Sequence, residues 1–147
     1  MQKTKKNIIG IIPARMSSTR FPGKAMEKIL GMPMIGHVYS RCKMSPILDD
    51  VYLAVSGKEI EDYADSIGAK WVSDKKIHRG CSNAIADAML EIEKRTGEKV
   101  DIVVMIQGDE PMIIPEMIDM AVKPMLEDPS IKVVNLSGGI IRSDRVQ

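Results

Sequence analysis

Two stretches of this chain are apolar without a break, Ile8-Ile9-Gly10-Ile11-Ile12 and Ile102-Val103-Val104-Met105-Ile106. A strand covered on one face alternates apolar and polar residues. A continuous run belongs to a strand covered on both faces, which is the habit of parallel sheets. The pattern predicts strands over Asn7–Ile12, Val51–Val55, Ala69–Val72, Ile102–Ile106 and Ile131–Leu136. Between them it predicts a helix over Met34–Lys43, after a Gly31-Met32-Pro33 turn, and another over Lys58–Ser66, stopped by Gly68. Ser82 can cap a third helix running to Arg95, with Ala84, Ile85, Ala88, Met89 and Ile92 on one apolar face and Gly97 at its end. Pro115 opens a fourth where a missing N–H costs nothing, and Pro124 should kink or end that helix early. Strands alternating with helices argue for an α/β fold: a mainly parallel sheet with helices on both faces, a three-layer sandwich.

With 147 residues and no linker, repeat or low-complexity run, residues 1–147 read as one domain. A net charge of +1 gives no long-range field to draw the chain to nucleic acid or a membrane. Aromatic residues make up 3% of the chain, too few for a base-stacking platform. The basic run Lys3, Lys5 and Lys6 precedes an apolar stretch too short for a signal peptide, and no stretch is long enough for a spanning helix. Cys42 and Cys81 are far apart, and His37 and His78 are isolated, so neither a disulfide framework nor a zinc site is expected. The cysteine usage suits a reducing, cytoplasmic compartment.

Chemistry is concentrated after the two apolar runs. The first leads into Pro13-Ala14-Arg15-Met16-Ser17-Ser18-Thr19-Arg20-Phe21-Pro22-Gly23-Lys24, which carries Arg15, Arg20, Lys24 and several hydroxyls. Clustered cations repel one another unless an anion sits among them. A polyphosphate suits them, because Arg offers a planar fork and Lys a mobile point charge. The second run leads into Gln107-Gly108-Asp109-Glu110-Pro111. Gly108 permits a tight turn or close ligand approach. Asp109 and Glu110 are hard oxygen ligands of the kind Mg²⁺ takes alongside substrate phosphates. Alone, the first loop reads as a solvated basic loop and the second as a β-turn facing water. Both follow strands at the carboxyl edge of one sheet, where open α/β sheets bind ligands. Together they have the parts of metal-assisted nucleotidyl transfer.

The motifs Ile12-Pro13-Ala14-Arg15 through Lys24, Gly31-x-Pro33-Met34-Ile35 with His37-Val38, and Gln107-Gly108-Asp109-Glu110-Pro111-Met112-Ile113 resemble those of the acidic-sugar cytidylyltransferase family, nearest its 3-deoxy-manno-octulosonate branch. The resemblance implies a nucleotide-diphospho-sugar transferase-like (Rossmann-like) fold. It implies transfer of CMP from CTP to the anomeric hydroxyl of an acidic sugar, with release of pyrophosphate. By position, Arg15, Ser18, Arg20 and Lys24 would line the CTP triphosphate site, and Pro13 and Ala14 would lie near the cytosine. Asp109 would bind Mg²⁺, with Gln107 and Gly108 close to nucleotide or sugar, and Ser82 beside the nucleotide. Arg15, Lys24 and Asp109 would carry catalysis through positioning and charge neutralisation, with no covalent intermediate. The resemblance covers only the amino-terminal part of such an enzyme, so a longer parent protein, expected to be a homodimer, is implied.

The chain departs from the family pattern at two places. After the second strand the family shows Ala-Thr-Asp where this chain has Ala54-Val55-Ser56-Gly57, so Gly57 supplies no carboxylate. After His78 the chain reads Gly80-Cys81-Ser82-Asn83-Ala84, where the family's arginine has become Ala84. These changes leave a sialic-acid-like or amino-sugar acid open as the acceptor. They also leave open a nucleotide-binding module without turnover.

Overall fold

The computed structural model describes residues 5–18, 20–74 and 80–138. Thr19, His78, Lys3 and the tail after Gly138 therefore lie outside the described residues. The central sheet holds four strands in the order β5-β4-β1-β6, where β1 is Ile8–Arg15, β4 is Asp50–Ser56, β5 is Lys70–Ser73 and β6 is Ile102–Met105. All three pairings are parallel. A small antiparallel hairpin, β2 (Lys28–Ile29) and β3 (Met32–Pro33), stands apart from it.

Strand periodicity divides the core into two layers. Ile8, Ile12 and Ala14 of β1 and Val51, Leu53 and Val55 of β4 face one side. There they meet Ile35, Val38 and Cys42 of α1 (Met34–Lys43), Ile60 and Ala64 of α2 (Lys58–Ser66), and Ile118 and Val122 of α4 (Pro115–Glu127). Ile9, Ile11 and Ala54 face the other side, against Ile85, Ala88 and Ile92 of α3 (Cys81–Thr96). With both faces covered, an uninterrupted apolar β1 is what the sheet needs, and the three-layer α/β sandwich is as expected.

Several boundaries differ from the sequence reading, each for a local reason. β1 continues through Pro13 to Arg15. β6 pairs only with Ile8–Ile11, so the missing N–H of Pro13 costs no ladder bond on that side. The expected Gly31-Met32-Pro33 turn lies instead at Leu30-Gly31, both with positive φ (50° and 83°), as a two-residue hairpin requires. Ser82 does not cap α3. The cap lies two residues earlier, at Gly80, the helix begins at Cys81, and no side chain caps it. α4 does not end at Pro124 but runs on to Glu127. The expected strand over Ile131–Leu136 is absent, and residues 131–138 have no regular structure. Val133 is 83% exposed, so no packed face is there to hold a strand.

Candidate active site

β1 carries the first motif to the carboxyl edge of the sheet, and the backbone then folds it into a compact loop. Met16 N–H donates to the Ser56 carbonyl at the end of β4 (3.2 Å), and Gly23 N–H donates back to the Met16 carbonyl (2.8 Å). Gly23 adopts a left-handed φ of 75°, which turns the chain into a short 3-10 turn, Lys24–Met26. Lys24 therefore stands at the start of that turn rather than trailing into solvent. β6 delivers the second motif to the same edge. Glu110 N–H donates to the Gln107 carbonyl (3.2 Å), closing a turn around Gly108 and Asp109. A Cβ on Gly108 would sit 2.5 Å from the Pro13 carbonyl oxygen, so glycine is what lets the two loops approach.

One pocket lies between them. The first loop lines it with Pro13, Ala14, Arg15, Ser17, Ser18, Lys24 and Ala25, and the second with Gln107, Gly108 and Asp109. Met34 of α1 and Cys81 of α3 complete the wall. Of the residues expected from sequence, the structure thus brings together Pro13, Ala14, Arg15, Ser18, Lys24, Gln107, Gly108 and Asp109. Arg20 and Ser82 are exposed and stand outside the lining. Arg20 nevertheless lies near enough to Asp109 to act on its charge. Cys81, at the start of α3, lines the wall where Ser82 was expected beside the nucleotide.

Electrostatically the pocket is bridged. Lys24 Nζ donates to Asp109 Oδ2 at 2.6 Å, linking the two motif loops. That hydrogen bond is the main reason the Asp109 carboxyl is held below the usual carboxylate range; burial opposes it, and the Lys24 and Arg20 charges assist. Arg15 Nε lies 3.6 Å from Asp74 Oδ2, while Arg15 Nη2 is buried and has no hydrogen-bond partner among the described residues. Asp74, buried at the end of β5, escaped the sequence reading. Its signal was its place, the residue directly after a strand at the ligand-binding edge.

The donor set can be tested against Mg²⁺. Among the described residues no three His, Cys, Asp or Glu side chains cluster as an all-protein cage. Mg²⁺ does not require one, since it takes one or two carboxylates with substrate phosphates and water. Asp109 is a half-exposed carboxylate on the pocket wall beside two cations suited to phosphate, and so fits that role. Glu110 is exposed and outside the wall.

Comparison with known proteins places this geometry. The cytidylyltransferase family model matches residues 9–146. The 3-deoxy-manno-octulosonate cytidylyltransferase of Pelobacter propionicus is 38% identical over 134 residues, covering 91% of this chain and 50% of that protein. The mitochondrial enzyme of the same name from Arabidopsis thaliana is 38% identical, over 87% of this chain and 43% of its own length. Among solved structures, CMP:2-keto-3-deoxy-manno-octonic acid synthetase complexed with CTP superposes with a TM-score of 0.74 at 31% identity, covering 86% of this chain and 50% of that one. 4-Diphosphocytidyl-2C-methyl-D-erythritol synthase shares the fold at 10% identity, with a TM-score of 0.65. The chain spans about half the length of the curated relatives it matches. By the match across nearly its whole length, it belongs to the cytidylyltransferase family.

Proposed function

We propose that this chain forms the nucleotide half of an enzyme that transfers CMP from CTP to the anomeric hydroxyl of an acidic sugar, 3-deoxy-manno-octulosonate or a close relative. The sugar hydroxyl gives up its proton to solvent as its oxygen attacks the α-phosphorus, the bond from the α-phosphorus to the oxygen bridging it to the β-phosphate breaks, and pyrophosphate leaves with that oxygen. The observation that carries this reading is the contact of Lys24 with Asp109 across a pocket made from both motifs. In it, Arg15 and Lys24 hold the triphosphate and neutralise charge that grows on the leaving pyrophosphate. Ser17 and Ser18 add hydroxyls to that cradle, and main-chain groups around Pro13 and Ala14 lie against the base. Asp109 would hold Mg²⁺, which when bound supplies further neutralisation of phosphate charge. Loading then exchanges the Lys24–Asp109 contact for one between Lys24 and a phosphate, which frees the Asp109 carboxylate for the metal.

The same reading puts the protein in the cytoplasm as a homodimer. Both cysteines are free thiols, and burial pushes that of Cys42 up to about 12, out of reach of ordinary thiol chemistry. No helix among the described residues is long and apolar enough to cross a membrane. The reading is tested by pyrophosphate release from CTP and Mg²⁺ with 3-deoxy-manno-octulosonate, a sialic acid or an amino-sugar acid as acceptor. Release with the first acid in preference to the others is the expected result. Preference for another acid would reassign the acceptor. CTP binding with no release from any of the three would favour a nucleotide-binding module.

A further inference from the structure

Asp74 stands outside the two motifs, yet it is built into their site. Its N–H donates to the Val55 carbonyl at 2.6 Å, which ties it to the end of β4. Arg15 stands opposite Ser56 in the β1–β4 register, so the carboxyl ends of β1, β4 and β5 lie side by side there. The Asp74 side chain is only 4% exposed, and its Oδ2 lies 3.6 Å from Arg15 Nε. A carboxylate this deeply buried is costly unless a cation compensates it, and Arg15 is such a cation. The other edge of the same guanidinium is uncommitted: Nη2 is buried and has no acceptor among the described residues. A guanidinium ion-paired on one side, on a residue that lines the pocket, with a donor left over, is pre-organised for an anion. Gly57 offers no carboxylate at the end of β4, and Asp74 provides one from the adjacent strand.

We propose that Asp74 is a positioning residue that fixes the Nε side of Arg15 by ion pairing and so orients its guanidinium toward a phosphate of the bound nucleotide. It touches no substrate and acts through Arg15. The inference rests on the nucleotide reading of the pocket, so its test separates the two. CTP affinity is measured by calorimetry for the wild type, Asp74→Ala, Arg15→Ala and the double variant. Asp74→Ala should weaken CTP about tenfold when Arg15 is present and less than about twofold when it is absent. An equal loss in both backgrounds would mean that Asp74 is merely structural and would overturn the proposal. Should Asp74→Ala fail to fold, Asp74→Asn keeps the buried shape while removing the charge. A second readout needs no nucleotide. The Arg15 Nε–Hε resonance should exchange slowly with water in the wild type and much faster in Asp74→Asn. Unchanged exchange would overturn the anchoring. Failure of the wild type to bind CTP would sink the nucleotide reading, while the exchange comparison would still decide whether Asp74 holds Arg15.

Discussion

Lys24 and Asp109 illustrate how a contact can organise a site while adding little to stability. Their side chains are 38% and 47% exposed, and exposed ion pairs contribute about 0–1 kcal/mol. Lys24→Ala should therefore leave the melting temperature nearly unchanged while lowering turnover by about 10²–10³-fold, the scale of one pre-organised charge contact. Thermal melts beside rate measurements check both halves of that statement. Asp109→Asn should abolish the response to Mg²⁺ in a Mg²⁺ titration, and a normal response would refute the ligand assignment. Gly108 behaves in the opposite way. Its missing Cβ makes room for the Pro13 carbonyl, a backbone atom that cannot swing aside as a flexible side chain does. Gly108→Ala should cost about 1–3 kcal/mol in denaturant unfolding and weaken CTP binding as the loops part. Wild-type values for both would show that the close approach is dispensable.

At the level of elements, legibility followed the range of the physics involved. α1 and α2 have the expected bounds, because their signals are local: a Gly-Met-Pro stretch before α1 and Gly68, with its positive φ, just after α2. The continuous apolar run of β1 likewise announced a doubly covered strand. Misreadings arose where a neighbour decides. Pro13 is tolerated inside β1 only because β6 ends before reaching it. Ile131–Leu136 has strand-like composition, but a strand needs a ladder partner. Ser82 has the right chemistry for a cap, but Gly80 takes the N-cap position. Most of the pocket was legible because both motifs are contiguous in sequence, whereas Cys81 enters its wall through the placing of α3, and Asp74 reaches Arg15 from the end of β5. Pro124 offers a test at this scale. It removes one backbone bond from α4, whose final turn still closes through Asp128 N–H to the Pro124 carbonyl at 2.9 Å. Pro124→Ala should stabilise the protein by about 1–3 kcal/mol, read as a higher melting temperature. A lower one would mean that the proline is favoured by packing.

For the whole molecule, acid stability and ligand binding are the global readouts. Asp49 accepts from Lys5 Nζ at 2.5 Å and from Ile8 N–H at 2.9 Å, fastening the start of β1 to the residue before β4. The Lys5 hydrogen bond, against opposing burial, holds the Asp49 carboxyl below its usual value. The unfolded chain therefore binds more protons there than the folded one. The stabilisation is complete above the unfolded value of about 3.9 and is lost as pH falls through the lower folded value. Asp49→Asn should accordingly lose less stability than the wild type between pH 6 and pH 3, as followed by denaturant melts. The central claim is that the two loops at the carboxyl edge of one parallel sheet form a cytidine nucleotide site. Calorimetric titration with CTP, using UTP and ATP as competitors, with and without Mg²⁺, tests it most directly, with Lys24→Ala as the control. The account predicts Mg²⁺-dependent binding selective for CTP that Lys24→Ala abolishes at an unchanged melting temperature. Binding that ignores the base, or that survives Lys24→Ala intact, would contradict it.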